Sequence, residues 1–301
     1  MVAAIFSEIL PKENILLVNM PSRYNSETTR DIAKQLADNI GCRYEVTPIE
    51  DSVALTSNQI CFITPLDKKG RENCGKRESL TEFMLENVQA RDRSSRVLAA
   101  WASLFGGVFT CNANKSEMTA GYTTLYGDLG GFLAPISDLW KTQVYEMAKW
   151  FNANIKNVIP QGSIDIVPSA ELSKEQNVDE GKGDPIRYEY HDLLFASWVE
   201  RWNRATPEDI LEWQLNGQLE KELGWTKGNT ILSLFNSPAD FVADVERWWG
   251  CYQGLAVAKR IQAPPVLGLS RRCFGWDHRE SQIGIIYTSR YYDLKRELLS
   301  E

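Results

Sequence analysis

Asn114-Lys115-Ser116-Glu117 is followed within four residues by Gly121-Tyr122-Thr123-Thr124-Leu125-Tyr126-Gly127-Asp128. A carboxylate, a lysine and hydroxyls in this order, placed at the carboxyl end of a strand, suit a phosphate group and a Mg²⁺ ion. The same residue types also suit a solvated loop. Asn87 and Arg91 stand four residues apart. On a helix they share a face and could hold one ligand together, or simply face solvent. Pro168-Ser169-Ala170-Glu171-Leu172, with Gln176, Asp179 and Glu180, forms a polar, Pro-started loop. Lys259-Arg260 and Arg271-Arg272 flank Ala263-Pro264-Pro265. Cation pairs of this kind can clamp phosphates, with ordinary surface charge as the alternative.

Other chemistries are poorly supplied. The 301 residues contain two histidines, His191 and His278, which argues against a His-based metal centre and restricts Ser-His or Cys-His schemes. The six cysteines (Cys42, Cys61, Cys74, Cys111, Cys251 and Cys273) include no CxxC pair. They read as reduced thiols of a cytoplasmic protein. Forty acidic against 33 basic residues give a formal charge of -7, which argues against a general nucleic-acid binder. No run of 18 apolar residues is present, so no membrane helix is expected, and the opening residues lack the basic region of a signal peptide.

These groups must be positioned by elements the hydrophobic pattern can suggest. Val2 to Leu10 reads as a short helix. Ile15-Leu16-Leu17-Val18 reads as a strand buried on both faces. Ser26 is a candidate N-cap for a helix from Thr28 to Ile40 that stops at Gly41, and Tyr44 to Ile49 is a second strand. This is a βαβ unit. A polar loop over Thr64–Arg77, a long helix over Leu80–Phe105 and a third strand over Gly107–Cys111 extend the alternation. The expected fold is α/β, a doubly wound and mostly parallel sheet with ligands at the carboxyl ends of its strands. Thr206-Pro207-Glu208-Asp209 and Ser237-Pro238-Ala239-Asp240 carry helix-start signatures. The second opens a helix with Phe241, Val242, Val245, Trp248, Trp249, Tyr252, Leu255 and Ala256 on one broad face. Seven of ten tryptophans lie between Trp198 and Trp276, which suggests a helical cap or dimer surface, or ordinary core packing.

Taken together, NKSE, GYTTLYGD, APISDLWKTQVYEMA, PSAEL, ENVQARDR, NMPSRY and KR.QAPP…FGWDHRE occur in family order. From Val2 to about Arg279 the chain strongly resembles the synthetase portion of NAD⁺ synthetase, and its glutamine-dependent long form more than the short ammonia-dependent one. The resemblance implies a Rossmann-like, adenine-nucleotide alpha-hydrolase-like fold. Residues 1–200 would be the nucleotide-binding core and 201–301 a helical extension with the C-terminal substrate loop of the same domain. It also implies that deamido-NAD is amidated to NAD⁺ at the expense of ATP with Mg²⁺. The nicotinate carboxylate attacks the α-phosphorus, pyrophosphate leaves, and ammonia displaces AMP from the adenylate. Ammonia would come free or from a glutaminase domain or subunit, and the protein would be a homo-oligomer, with a homodimer core. No protein nucleophile is needed, in keeping with two histidines.

Site residues follow by position in that resemblance. Met20 and Arg23 match the adenine-side turn of the ATP site, to which Asn112, Lys141 and Ser169 are added. Glu117 matches the Mg²⁺ carboxylate. Asn87, Arg91 and Asp128 match residues around the pyridine and ribose end of deamido-NAD, and Lys259 and Arg260 match the pair on the loop that closes over the phosphates. Lys141, Asp128 and Lys259 would act on the reacting groups. An acidic chain binding two anionic nucleotides must then gather its cations locally, at Arg23, Arg91, Lys141, Lys259 and Arg260.

The resemblance also marks departures. The family's Ser-Gly-Gly-x-Asp-Ser pyrophosphate loop and the strand before it stand ahead of the helix that begins here at Val2, and the amidase half has no counterpart in these residues. Asn112-Ala113 replaces Thr-Gly, Leu125 stands where short-form relatives often have Lys, and Gly181-Lys182-Gly183 alters an acidic run. Two readings therefore stay open: an enzyme of NAD⁺ biosynthesis, and a non-catalytic nucleotide-binding or oligomerising remnant. A ligase of the same fold that acts on GMP or tRNA fits the motifs and the acidic charge less well.

Overall fold

After a short helix α1 (Val2–Ile9), the apolar run forms β1 (Leu16–Asn19). Ser26 then accepts a hydrogen bond from the Thr29 amide and opens α2 (Glu27–Ile40), and Gly41 closes it at φ 74°, a left-handed conformation that favours glycine. β2 (Arg43–Val46) returns parallel to β1, with Leu16 opposite Arg43 and Asn19 opposite Val46. The βαβ unit forms as the pattern predicts, but its second strand ends at Val46 and not at the expected Ile49. This computed structural model describes residues 1–60, 80–274 and 286–300. Among the described residues the sheet holds these two strands. The expectation that β1 is buried on both faces is corrected: Ile15 is buried, but Leu16 to Asn19 are only half-buried. In a two-stranded sheet each strand keeps one open edge.

The helix expected over Leu80–Phe105 is present with a change of winding. After α3 (Glu50–Ile60), Thr81 caps α4 (Glu82–Arg91). The chain then widens into a π-helical stretch over Asp92–Leu98 and resumes as α5 (Ala99–Phe105). The third strand does not form. Gly106 ends α5 at φ 71°, and the following residues make isolated backbone bonds, Phe132 N–H to Phe109 O at 2.8 Å and Cys111 N–H to Leu133 O at 2.9 Å. Val108 is 64% exposed, so no apolar face drives a ladder there. The loop expected over Thr64–Arg77 lies wholly outside the described residues, as do Trp276 and His278 of the last motif.

The remaining helices are α6 (Lys115–Ala120), α7 (Lys141–Asn154), α8 (Gln161–Asp165), α9 (Tyr188–Val199), α10 (Pro207–Leu215), α11 (Leu219–Leu223), α12 (Pro238–Gln253), α13 (Leu255–Gln262) and α14 (Ser289–Ser300). The chain divides into two compact units. The first comprises Met1–Thr110, Thr124–Phe132 and Tyr145–Pro185. Its core is a small cluster of Ala4, Ile40, Phe151, Val158, Ile159 and Ile164. The second comprises Cys111–Thr123, Leu133–Val144 and Ile186–Glu301.

The second unit has the larger core. Phe195, Trp198, Ile210, Leu211, Phe241 and Trp248 are all nearly inaccessible there. Both helix starts read from sequence hold: Thr206 and Asp209 form a reciprocal capping box, and Ser237 accepts from the Asp240 amide. The broad face of α12 is core. Phe241, Val242, Val245, Trp248 and Tyr252 are buried, each apolar side chain contributing roughly 1.5–3 kcal/mol. The expectation fails at Leu255, which is 66% exposed after Gly254 separates α12 from α13, while Ala256 is buried as expected.

Candidate functional site

In the second unit the amino ends of α6 and α7 carry the chemistry. Asn114 and Glu117 cap α6 reciprocally: Asn114 Oδ1 accepts from the Glu117 amide and Glu117 Oε2 from the Asn114 amide, both at 3.0 Å. This leaves Glu117 Oε1 directed at Lys141 Nζ, 3.5 Å away. The Lys141 ammonium also lies over the Tyr188 ring, 5.2 Å from its centroid. Ser116 Oγ accepts from the Lys141 amide at 2.9 Å and donates to Asp192 at 2.5 Å. Burial raises the Asp192 carboxyl above its ordinary pKa, against the opposing hydrogen bonds from Ser116 and Thr142.

Lys115 corrects the reading of the motif. Its side chain is fully buried and points away from the Glu117–Lys141 pair's chemistry, bonding Asp138 at 2.7 Å, Glu200 at 2.6 Å and Ser270 at 2.9 Å. Of Asn114-Lys115-Ser116-Glu117, only Glu117 therefore turns its charge to the candidate site. Asn112, exposed two residues before the cap, leads into the same element.

Lys259 and Arg260, expected on a phosphate-closing loop, sit instead in the last turn of α13. Lys259 Nζ donates to the carbonyls of Gly121, at 2.6 Å, and Thr123. Arg260 is buried, and its guanidinium donates to Tyr252 O at 2.7 Å and to Met118 O and Thr119 O at 3.2 and 3.3 Å. The Tyr252 and Phe274 rings flank it, and burial pushes its pKa down to about 10. Both cations thus cap the carboxyl end of α6 and the turn after it. The close approach of α13 needs a residue without a side chain at Gly121, where a Cβ would lie 2.7 Å from that of Ala256.

In the first unit, three of the expected dinucleotide residues meet at one loop. Asn87 Oδ1 accepts from Thr124 Oγ at 3.1 Å, Arg91 Nε donates to Leu125 O at 3.0 Å, and the Asp128 carboxylate accepts from the Thr124 amide at 2.6 Å. The shared helix face of Asn87 and Arg91 is as the spacing suggests. Ser95 holds Tyr126 O at 2.7 Å, and Tyr126 itself has φ 62°. A non-glycine residue in that region is costly and is favoured at ligand-facing turns.

Met20 and Arg23 stand at the carboxyl end of β1. Arg23 ion-pairs with Glu50 and also offers its amide at 3.1 Å, and this pairing holds the Glu50 carboxyl below its ordinary range. Arg93, inside the recognised Glu86–Arg93 motif but given no role from sequence, is the half-buried anchor of this turn. Its Nε donates to Met20 O at 3.0 Å and another nitrogen to Asn25 Oδ1 at 3.1 Å. Glu171 completes the knot, accepting from Asn25 Nδ2, the Ser26 amide and Thr29 Oγ at 3.2, 3.1 and 2.7 Å. Glu171 has φ 46°. Ser169 Oγ donates to Gln176 O at 2.6 Å and shapes the same loop. Arg93 and Glu171 were missed as partners because 78 residues of sequence separate them.

In the second unit Lys141 offers a cation suited to phosphate and Glu117 a carboxylate suited to a metal. Among the described residues no three His, Cys, Asp or Glu side chains gather as a metal cage. Glu117, half-buried with one oxygen beside an ammonium, fits an ion that brings phosphate and water ligands and takes one protein carboxylate. Also among the described residues, no helix is long and apolar enough to cross a membrane.

Residues 1–224 match the family model described as NAD synthase. Among curated relatives, the chain is similar to a glutamine-dependent NAD(+) synthetase of Xylella fastidiosa, 32% identical over 283 residues, which cover 93% of this chain and 43% of the relative. It is also similar to that of Thermotoga maritima, 36% identical over 211 residues, covering 70% and 34%. The chain therefore spans less than half the length of the curated relatives it matches. Among solved structures, a glutamine-dependent NAD(+) synthetase from Cytophaga hutchinsonii shares the fold at TM-score 0.60 and 17% identity, over 94% of this chain and 40% of that one. An NMN synthetase from Francisella tularensis does so at TM-score 0.51 and 21% identity, over 76% and 84%. The α/β fold is that of these synthetases, and the chain belongs to the NAD synthase family.

Proposed function

We propose that this chain is the amidating part of an NAD⁺ synthetase, converting deamido-NAD, ATP and ammonia to NAD⁺, AMP and pyrophosphate. Residues 1–200 would form the nucleotide-binding core and 201–301 its helical extension. The observation that carries the reading is the Glu117–Lys141 pair at 3.5 Å, raised on the amino ends of two helices whose dipoles favour anions.

In the first step a nicotinate carboxylate oxygen bonds to the α-phosphorus of ATP while the bond to the bridging oxygen breaks and pyrophosphate carries away the electron pair. In the second, ammonia bonds to the acyl carbon, AMP leaves with its oxygen, and a proton passes to solvent. This chain's residues act by position and charge. Lys141 stabilises negative charge on the phosphates. The loop held by Asn87, Arg91 and Asp128 receives the pyridine and ribose end, and the Met20–Arg23 turn and Ser169 loop receive the adenosine side. A Mg²⁺ held by Glu117 would neutralise charge on the departing pyrophosphate. Ammonia comes from solution or a glutaminase partner, and the working form is a cytoplasmic homo-oligomer.

The test is incubation with deamido-NAD, Mg²⁺-ATP and ammonium, following AMP and NAD⁺ together. Equal release of the two supports the reading. Folded protein that binds ATP yet releases no AMP would replace it with the nucleotide-binding remnant. Glu117→Gln should lose Mg²⁺-dependent turnover by about 10²–10³-fold while keeping its melting temperature, because Gln also serves at the third position of a capping box. Unfolding of that variant would instead make Glu117 structural.

A further inference from the structure

Asp192 bonds the sequence neighbours of the Glu117–Lys141 pair. Its carboxylate, 3% exposed as a residue, ties three helices of the second unit together. Oδ1 accepts from Ser116 Oγ at 2.5 Å. Oδ2 accepts from the Thr142 amide at 2.9 Å and from Thr142 Oγ at 2.8 Å. Ser116 Oγ, having donated to Asp192, accepts the Lys141 amide at 2.9 Å. The amides of Lys141 and Thr142 are the first of α7, which no intrahelical carbonyl can serve. One buried carboxylate from α9 therefore satisfies the start of α7, directly and through Ser116, and grips α6 at the same time.

The two residues it grips are the sequence neighbours of the two that matter. Ser116 precedes Glu117, and Thr142 follows Lys141. A shift of α7 against α6 would change the separation of Glu117 Oε1 and Lys141 Nζ, and the Asp192 bonds oppose that shift.

We propose that Asp192 is a positioning residue of the phosphate and Mg²⁺ centre, setting the Glu117–Lys141 geometry through Ser116 and Thr142. The inference rests on the functional reading for its consequence in turnover, but its geometry is testable without it. An amide at position 192 keeps the size but removes the charge and leaves one accepting oxygen where Ser116 and Thr142 now bond two, so Asp192→Asn weakens the grip with little change of volume.

The experiment is a double-mutant cycle with a spectroscopic arm. In the first arm, Asp192→Asn, Glu117→Gln and the double variant are assayed for AMP release against Mg²⁺ concentration. Asp192→Asn should raise the half-maximal Mg²⁺ concentration about tenfold or more, and should add nothing in the Glu117→Gln background, since residues that act through one hydrogen-bond network couple. Equal, multiplying losses in both backgrounds would overturn the proposal in favour of a general packing role. In the second arm, lysines carry ¹³C-methyl labels and the Lys141 signal is identified with Lys141→Arg. That signal should move in Asp192→Asn in the same direction as in Glu117→Gln, with no nucleotide present. A folded variant whose Lys141 signal stays at the wild-type position would overturn the proposal. If wild-type chain releases no AMP, the functional reading has failed and the second arm alone decides the positioning. If Asp192→Asn does not fold, Ser116→Ala takes its place in both arms, removing the hydroxyl link between the two helices.

Discussion

Lys115 carries its ammonium into the interior of the second unit, between Asp138 at 2.7 Å and the partly exposed Glu200 at 2.6 Å, with Trp140's ring 5.2 Å away. A buried ion taken from water is stabilised only by complete pairing, and removing one partner strands the other at a cost of about 3–5 kcal/mol. Lys115→Met should lower unfolding stability by that amount in a urea titration, and adding Asp138→Asn should recover part of it. Burial alone would raise the Asp138 carboxyl. The Lys115 bond and the amides of Ser270 and Leu269 outweigh that and hold it below its ordinary value. A depressed carboxyl contributes stability that is present above its unfolded pKa and lost as pH falls through the folded one. Wild-type chain should therefore lose this contribution only below about pH 3.9, and Lys115→Met should show a shallower acid-side loss. The Asn114–Glu117 spacing fits a capping box, and the structure forms one, although the sequence motif drew attention to Glu117 only as a metal carboxylate. The motif hid Lys115's role, because a lysine in a helix's first turn reads as solvated and its three partners lie 23, 85 and 155 residues away.

Helix ends were the most legible elements, because their signals are local. Ser26, Gly41, Thr206 with Asp209, and Ser237 all sit where the pattern predicts. Thr206→Ala removes one half of a reciprocal cap on α10 and should cost about 1 kcal/mol of stability. AMP release per folded molecule should stay unchanged, since Thr206 bonds only within its own cap. A drop in turnover at constant folded fraction would show that α10 is coupled to the chemistry. The π-helical stretch after Arg91 was not legible. Its widening depends on contacts that no spacing rule encodes: Asp92 bonds Ser52 at 2.7 Å and Arg96 at 2.6 Å, and Arg93 reaches the Met20 turn. Such stretches are uncommon and recur at functional sites. Here it points Arg93 at the turn that follows β1. The third strand failed for the opposite reason. Gly107–Cys111 has strand composition, but its partners at Phe132 and Leu133 are not strand residues either, so composition without a ladder was not enough.

The charge of -7 argues against a general nucleic-acid binder, yet it does not describe where the cations are. Of the five expected to meet anionic nucleotides, Arg23 pairs with Glu50, Lys141 faces Glu117, Arg91 holds Leu125 O, and Lys259 and Arg260 close the end of α6. Most of this positive charge shapes turns first, which a net charge cannot reveal. The tryptophan-rich C-terminal third raises the matching question for assembly, since one apolar stripe serves either a core or a dimer surface. Phe241, with no exposed area, packs edge-on against Phe235 at 5.4 Å, while Trp248 meets His191 and Phe195 at 5.4 and 6.0 Å. Those neighbours belong to the same chain and the same unit, so the stripe is already covered. Phe241→Ala should then cost about 3–5 kcal/mol, lowering the urea midpoint by the same amount at every protein concentration and leaving the sedimentation coefficient of the native protein unchanged. A stability loss that disappears at high protein concentration would mean that this face is completed by a second copy. The homo-oligomer we propose would then be built on α12.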